Sequence, residues 1–306
     1  MRSTRGPWSP DRIPAGRLIR DAAGHAILGV VSDLLPILLV SLVAGGFGSL
    51  VGIGGGLILV PVLTTLMGYD IKIAIAASLV GVIATSVSAS PRFLQSGLAD
   101  RRLGVFLLVA TAAGGLVGGV TANYVDGRVL AIAFGTLLVL VSIQMARGLR
   151  RAAPVRAPEP SDADGQGLVS SYLEPTTGER VSYRARRLGP GAAVSFVAGN
   201  VSGLLGVGGG VINVPTMNVL MHVPLRVATT TSTYMLGATA AASAMVNAAS
   251  GRLDPLIAAP VALGVLVGSR LGAHLSYRVS QRTLRMVFVG VALFFAAQMF
   301  GRVLWP

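Results

Sequence analysis

The chain has 306 residues, of which 53% are hydrophobic and 12% charged, with a net charge of +13 and a mean hydropathy of +0.72. Its apolar residues form long runs, which excludes an ordinary soluble domain. The chain has no cysteine, which excludes disulfides, thiol catalysis and thiolate metal sites. Its 24 arginines and one lysine lie mostly between the apolar runs. We therefore attribute the positive charge to membrane topology and expect no nucleic-acid partner.

The chain opens with a basic, mostly polar stretch, residues 1–33, which we interpret as a cytoplasmic tail without a cleavable signal. Charge-free runs follow, and a bilayer core about 30 Å thick needs roughly 20 apolar residues for each helix. These runs span residues 34–69, 73–91, 103–125, 129–146, 188–225, 227–251, 255–269 and 286–301. We therefore predict an all-α integral membrane protein with about eight transmembrane helices.

The second half of the apolar region repeats the first. A shift of 154 residues aligns residues 44–145 with 198–299, and 27 of the 102 positions are identical. The sequence therefore predicts two homologous four-span repeats, residues 34–146 and 191–306. Four crossings in each half would make the repeats parallel, whereas an odd number would make them inverted. Paired repeats are typical of transporters that bind substrate near the bilayer midplane.

A segment rich in Pro, Asp and Arg, residues 147–190, separates the repeats and has the composition of a cytoplasmic linker that buries no core. Within it, the alternating stretch 168–185 around a Pro/Gly turn predicts a small β-hairpin. An excess of arginine marks the cytoplasmic side of a membrane protein. We therefore expect the N-terminal tail, the linker and the C-terminus on that side.

Each repeat opens with a Gly triplet and a Pro five residues later, in GIGGGLILVP and GVGGGVINVP. Glycine permits positive φ and weakens a helix, and Pro lacks an N–H, so the first span of each repeat is predicted to be broken at its GxGGG segment. Unpaired backbone groups are costly in lipid, so such a break survives only beside protein or a wet cavity. The N-terminus of a helix that starts at such a break would favour binding of an anion. All Asp and Glu residues lie outside the interiors of the spans, which also favours an anionic substrate.

The candidate substrate-binding residues come from the two breaks and from the small or hydroxyl-bearing run that follows each. They are Gly54, Gly55, Gly56, Ser78, Gly208, Gly209, Gly210, Asn213, Ser232 and Thr233. Other interpretations stay open, because Gly triplets also serve close helix packing and hydroxyl side chains also bond their own helix carbonyls. The Gly-rich segments 114–119 and 268–273 are interpreted as packing faces.

Two halves that each open with GxGGGxxxVP and continue with a small, hydroxyl-bearing run resemble the TauE/SafE family of sulfite exporter-like permeases. The resemblance implies a secondary transporter or facilitator for small anions such as sulfite, organosulfonates or related carboxylates. It also implies a multi-pass protein of a bacterial or archaeal cytoplasmic membrane, in contact with the lipid bilayer. The anion, the direction of transport, a proton or sodium coupling ion and homo-oligomerisation stay open.

Two other classes of function are alternatives to transport. An intramembrane serine hydrolase would pair Ser202 with His274, but the stretch GNVSGLLG is not a GxSxG motif and no Asp lies within the spans. A non-transporting membrane scaffold is the second alternative. The sequence has no nucleotide-binding motif, and we expect neither enzymatic activity nor a cofactor or metal.

Overall fold

A computed structural model of the chain describes residues 34–49, 54–95, 97–150, 167–173, 179–275 and 281–304. The N-terminal tail, residues 1–33, and residues 151–166 of the linker lie outside the described residues. The predictions made for those two segments are therefore untested.

The described elements follow one another as a helical half, a β-hairpin and a second helical half. The first half contains α1 (Leu34–Ser49), α2 (Gly56–Pro61, continued by a π-helical turn over Val62–Leu66), α3 (Ile71–Gln95), α4 (Arg101–Tyr124) and α5 (Gly127–Arg150). Strands β1 (Leu168–Leu173) and β2 (Arg180–Ala185) pair antiparallel, which confirms the predicted β-hairpin. The second half contains α6 (Leu188–Leu205), α7 (Gly210–Pro215, continued by a π-helical turn over Thr216–Leu220), α8 (Leu225–Ala249), α9 (Pro255–Leu275) and α10 (Gln281–Leu304).

The elements of the two halves correspond at the spacing of the sequence alignment. Helices α2, α3 and α5, and the first π-helical turn, begin and end 154 residues before α7, α8, α10 and the second π-helical turn. In both halves the π-helical turn directly follows the duplicated proline, Pro61 or Pro215. Proline cannot donate the usual helical hydrogen bond, so the helix widens beside it. The duplicated sequence therefore forms duplicated local structure.

The Gly-rich break of the second half is a reversal of the chain. The Arg186 backbone N–H donates to the Met221 carbonyl oxygen at 3.0 Å, although α6, the break and α7 lie between them. A Cβ atom at Gly191 would also meet the Met221 sulfur at 2.6 Å. Helix α7 (6 residues) and its π-helical turn (5 residues) together extend only about 16 Å, too short to cross a bilayer core. Helices α6 and α7 therefore form a helical hairpin whose two ends lie at one face.

The first half reverses in the same way. A Cβ atom at Gly55 would lie 3.3 Å from the Ala44 carbonyl oxygen, and one at the equivalent Gly209 would lie 3.2 Å from the Ala198 carbonyl oxygen. In a continuous helix, residues 44 and 55 would be about 16 Å apart along the axis. The prediction of one broken crossing at the start of each repeat is therefore wrong, because the chain turns back at the glycines.

One end of the helical bundle, which we call the linker face, holds the β-hairpin, the α3–α4 loop and the start of α8. There the Tyr183 hydroxyl donates to the Asp100 carboxylate at 2.7 Å. The Asp100 backbone N–H in turn donates to Thr231 Oγ1 at 2.9 Å. Helix α3 therefore ends at the linker face, and α4 and α8 begin there.

The opposite end, which we call the far face, holds the ends of α4, α8 and α10. The Asn123 side-chain amide donates to Ser250 Oγ at 3.0 Å across this face. The Lys72 ammonium group at the start of α3 donates to the Asn123 carbonyl oxygen at 3.4 Å, so the start of α3 lies at this face too. The Arg302 guanidinium donates to the carbonyl oxygens of Thr64 and Thr65, shortly before α3, at 2.6 and 2.8 Å, which places the end of α10 there as well. The linker and the end of α10 therefore lie at opposite faces, and the prediction that they share one side is wrong.

The two halves run through the bundle in opposite directions. Helix α3 ends at the linker face, whereas its counterpart α8 begins there. Helices of different halves pair in parallel as a result: α4 lies beside α6, and α9 lies beside α1 with Gly268 against Leu42 and Gly272 against Gly46. Because α9 starts at the far face, α1 starts there too.

The Gly-rich segments 114–119 and 268–273 lie in these parallel interfaces. A Cβ atom at Gly118 would come within 2.1 Å of the Asn200 carbonyl oxygen, and one at Gly268 within 2.0 Å of a carbonyl oxygen of α1. No side chain fits there, so glycine alone permits this approach of the two backbones. The interpretation of both segments as packing faces is confirmed.

Six described helices are long and apolar enough to cross a membrane: α3, α4, α5, α6, α9 and α10. Helix α8 is as long as α3, with 25 residues, but its consecutive Thr and Ser side chains make it less apolar. Helices α1 and α2 are shorter. The predicted number of eight spans is therefore not confirmed.

The Gly118 contact gives a test of the packing. We expect Gly118→Ala to destabilise the protein by about 1–3 kcal/mol, because the added methyl group has to separate α4 from α6. The measurement is the temperature at which the detergent-solubilised protein loses its monodisperse elution peak. Gly290→Ala is the control, since nothing lies within 4 Å of a Cβ atom there. Equal melting of both variants would contradict the packing role.

Candidate functional site

The tips of the two helical hairpins contact each other inside the bundle. A Cβ atom at Gly56 would lie 2.4 Å from the Gly206 carbonyl oxygen and 3.3 Å from Val207 Cα. The Ser78 hydroxyl lies 2.9 Å from the same Gly206 oxygen and 2.7 Å from the carbonyl oxygen of Ile75. Ser78, a predicted site residue, therefore links α3 to the break of the other half.

Both breaks lie about midway between the linker face and the far face. The missing side chains of Gly54 and Gly208 would both lie within 4 Å of Val82 and Leu236. Val82 and Leu236 lie near the middle of α3 and α8, respectively. The structure therefore brings the two predicted Gly triplets together at mid-depth.

The glycines of the two breaks are buried and adopt conformations that other residues avoid. Gly54 and Gly208 have φ of +82° and +86°, and Gly209 has φ of +71°. Its counterpart Gly55 has φ of −70°, so the two turns differ at this position. Left-handed backbone at three of these positions explains why the chain needs glycine where it reverses.

The start of each short helix leaves backbone N–H groups beside the break. In the second half the first helical bonds run from Ile212 and Asn213 to the Gly209 carbonyl oxygen, at 3.2 and 3.0 Å. The amides of residues 209–211 precede these bonds and have no partner within α7, as at any helix start. Residues 55–57 have the same position in the first half.

Three buried polar side-chain atoms around the second break lack a hydrogen-bond partner among the described residues: Ser202 Oγ, Asn213 Oδ1 and Ser232 Oγ. A Cβ atom at Gly209 would lie 3.5 Å from Ser202 Cβ, and one at Gly210 would lie 3.4 Å from Ser232 Oγ. Asn213 follows within one helical turn. Sequence reasoning selected Asn213 and Ser232, but it considered Ser202 only as a nucleophile.

The other hydroxyl groups of α8 are engaged elsewhere. The Thr233 hydroxyl donates to the carbonyl oxygen of Thr229 at 2.9 Å, so this predicted site residue bonds within its own helix. The Thr230 hydroxyl lies 2.8 Å from the Leu98 carbonyl oxygen, and Thr231 accepts from Asp100. Of the run from Thr230 to Thr233, Ser232 alone faces the break without a described partner.

Sequence reasoning missed a polar cluster at the linker face. The Tyr183 side chain is 2% exposed, and its burial together with the Asp100 carboxylate raises the pKa of its hydroxyl. Asp100 also caps α4, because its carboxylate accepts from the Leu103 N–H at 3.1 Å. The expectation that the whole linker packs against no core is therefore wrong for its β-hairpin. A signal was available, since Asp100 is duplicated as Asp254.

The serine hydrolase alternative finds no support in the geometry. Ser202 is buried in the last turn of α6, which runs from the linker face towards the far face. His274 is exposed in the last turn of α9, which ends at the linker face. Ser202 therefore lies beside the break inside the bundle, whereas His274 lies near the linker face, so the structure does not pair them in one site.

The six long apolar helices and the paired hairpins define a multi-pass protein of the cell membrane, and its relatives identify the class as membrane transporters. The profile of the family described as Sulfite exporter TauE/SafE matches residues 37–299. The chain therefore belongs to the TauE/SafE family, as its Gly-rich motifs predicted.

The relatives carry the names of transporters. The probable membrane transporter protein YunE of Bacillus subtilis is 26% identical over 270 residues, which cover 86% of this chain and 96% of the relative. The probable membrane transporter protein MJ0441 of Methanocaldococcus jannaschii is 24% identical, with 84% and 92% covered. MamO of Magnetospirillum gryphiswaldense is 25% identical and aligns with 95% of this chain but 49% of its own length. No solved structure matches the chain.

The Tyr183 contact gives a second test. We expect Tyr183→Phe to keep the buried ring but to loosen the β-hairpin, because hydrogen bonds to charged groups contribute about 1.5–3 kcal/mol. Backbone hydrogen exchange over residues 168–185 should therefore accelerate. Tyr124→Phe is the control, since Tyr124 is 85% exposed.

The pH dependence has a defined sign. Because the pKa of Tyr183 is raised, the contact is fully present below the ordinary tyrosine value of about 10 and is lost only as the pH rises through the higher folded value. Loosening of the wild-type β-hairpin between pH 7 and 9, as in Tyr183→Phe, would contradict this assignment.

Proposed function

We propose that the protein is a secondary transporter or facilitator that moves small anions, with sulfite and organosulfonates as the first candidates. The observation that carries the proposal is the meeting of two Gly-rich hairpin tips at mid-depth, where helix-start amides and buried hydroxyl groups surround the breaks. These groups are hydrogen-bond donors, and anions bind readily at such helix starts. The family name supports the same class of substrate.

The charge pattern also supports an anion. The segments that surround the breaks, residues 34–69, 73–91, 188–225 and 227–251, contain no Asp or Glu. A carrier of cations normally places acidic side chains within the membrane to compensate the cation. Hydrogen-bond donors without nearby carboxylates favour binding of a negatively charged substrate.

The architecture proposed here is a pair of inverted repeats. Each repeat consists of one helical hairpin followed by three helices, and the opposite directions of α3 and α8 support a two-fold axis in the membrane plane. Inverted repeats typically hold the substrate between them and expose it to either side by moving relative to each other. The Gly56–Gly206 contact would then lie close to this axis.

We propose that the linker face is cytoplasmic. This face carries arginines of the α3–α4 loop, β2 and the start of α6, namely Arg101, Arg102, Arg180, Arg184, Arg186 and Arg187. The far face carries fewer described cations, including Lys72, Arg252 and Arg302. Positive residues are retained on the cytoplasmic side during insertion.

Anion binding tests the proposed function. The panel contains sulfite, methanesulfonate, sulfate and acetate, measured as binding to the purified protein in nanodiscs and as flux into proteoliposomes. Proton and sodium gradients imposed in turn identify a coupling ion. Binding and flux of at least one panel member are expected, and the lack of both for the whole panel would reject the proposal.

The break glycines give the matched variants. Gly209→Leu forces a side chain into left-handed backbone and Gly55→Leu places one 3.3 Å from the Ala44 carbonyl oxygen. Loss of one charge-assisted hydrogen bond should weaken anion affinity about 10- to 150-fold. Gly290→Leu is the control, because its site is open. Unchanged affinity in folded Gly55→Leu and Gly209→Leu proteins would remove the breaks from the site.

Orientation is tested separately, and the cysteine-free chain makes labelling simple. Ser171 in β1 and Ser250 after α8 are both exposed and lie at opposite faces. We expect a membrane-impermeant maleimide to label Ser250→Cys in intact cells and Ser171→Cys only after permeabilisation. Labelling of both variants in intact cells would contradict the opposite placement of the two faces.

A further inference from the structure

The two breaks differ in chemistry although they correspond in sequence. The position of Ser202 is occupied by Gly48 in the first half, and the position of Asn213 by Leu59. The duplication therefore supplies an internal comparison, in which the second break has a hydroxyl and an amide group at positions where the first has neither.

The third pair of positions is identical in sequence but differs in bonding. Ser78 and Ser232 are both fully buried. The Ser78 hydroxyl has two carbonyl acceptors, of Ile75 and Gly206, at 2.7 and 2.9 Å. Ser232 Oγ has no partner among the described residues. The first-half serine is therefore committed to holding the two halves together, whereas its counterpart is free to bind a ligand.

Three oxygens without partners around one break are costly to the unliganded protein. Ser202 and Ser232 are 0% exposed and Asn213 is 1% exposed, so bulk water does not reach them. Buried polar groups in native proteins nearly always have partners, and a missing partner at a membrane site indicates a ligand or ordered water. These three groups lie on α6, α7 and α8. Ser202 adjoins Gly209 and Ser232 adjoins Gly210, where no side chain intervenes, and Asn213 follows Gly209 by one helical turn.

We infer that the second half supplies the side chains that contact the anion, Ser202, Asn213 and Ser232, and that the first-half break contributes backbone N–H groups but no side chain. This inference rests on the proposed function. Ser202 and Ser232 would donate hydroxyl hydrogens, beside the N–H groups of residues 209–211. The unpartnered atom of Asn213 is its acceptor oxygen Oδ1, so Asn213 would contribute by turning its side-chain amide and presenting the NH2 group to the anion. The two repeats are thus nearly symmetric in backbone, but only the second repeat supplies side chains to the site.

The lack of basic side chains around the breaks limits the charge of the substrate. The hairpin segments and the parts of α3 and α8 that surround the breaks, residues 34–69, 73–91, 188–225 and 227–251, contain no Lys or Arg. A divalent anion would therefore have only neutral donors to replace its hydration, at a high desolvation cost. A small monovalent anion, such as a sulfonate, fits these donors better than sulfate.

Two other unpartnered serines provide the matched control. Ser41 on α1 and Ser195 on α6 are fully buried, lack partners among the described residues and lie 154 residues apart. They occur in both halves, so they do not distinguish one break from the other. Ser41 lies at the α1–α9 interface, where a Cβ atom at Gly264 would meet its Cβ at 2.7 Å. A contact role of Ser41 with the anion is not expected.

The experiment measures methanesulfonate and sulfate binding to the full chain in nanodiscs by titration calorimetry, together with the unfolding temperature without anion. Ser202→Ala and Ser232→Ala should each weaken methanesulfonate binding about 10-fold or more, and Asn213→Leu similarly. The unfolding temperature should stay equal or rise, because each Ala variant removes an unpartnered buried oxygen. Ser41→Ala should leave the affinity unchanged, and wild type should bind methanesulfonate at least about 10-fold more tightly than sulfate, in keeping with the desolvation cost.

The outcomes separate this inference from the proposed function. Methanesulfonate affinities that stay at the wild-type level in Ser202→Ala and Ser232→Ala, with anion binding intact, would overturn the inference and leave the transporter proposal standing. A lower unfolding temperature with unchanged affinity would assign both serines a structural role and would also overturn it. Tighter binding of sulfate would overturn the assigned charge. A wild-type protein that binds and moves no anion of the panel would reject the proposed function itself.

Discussion

The structure depends on the cost of leaving backbone N–H and C=O groups unpaired inside a membrane. A chain that reverses at mid-depth exposes such groups, and lipid cannot pair with them. Each hairpin tip is instead covered by the tip of the other half, where Gly56 packs against the Gly206 carbonyl group and Ser78 bonds the same oxygen. The two halves therefore need each other, because neither break would be tolerated alone.

Much of the fold could be predicted from the sequence, because duplication and packing of small residues can be recognised from residue types at fixed spacings. The 154-residue spacing, the packing faces at Gly118 and Gly268 and the β-hairpin all followed from residue types at fixed intervals. The reversal could not be predicted from hydropathy, because an apolar run has no direction. Its length was the overlooked signal, since residues 34–69 far exceed the roughly 20 residues of one span.

The candidate site was predicted in its backbone and only in part in its side chains. Consecutive hydroxyls at residues 229–233 look equivalent in sequence, yet their partners come from distant segments. Thr230 and Thr231 meet the α3–α4 loop, whereas Ser232 faces the break. Ser202 stands among glycines and was considered only as a nucleophile, because the sequence does not show that the chain folds back beside it. Such roles depend on contacts between helices, which one sequence does not encode locally.

The opposite directions of the two halves have a consequence for how the chain enters the membrane during synthesis. The first half leaves its last helix at the linker face, and the second half begins from that same face. The positive charge of the arginine-rich linker therefore acts on both halves. It favours keeping the end of α5 and the start of α6 on the same side of the membrane. A single connecting segment would therefore hold the two halves in opposite orientations.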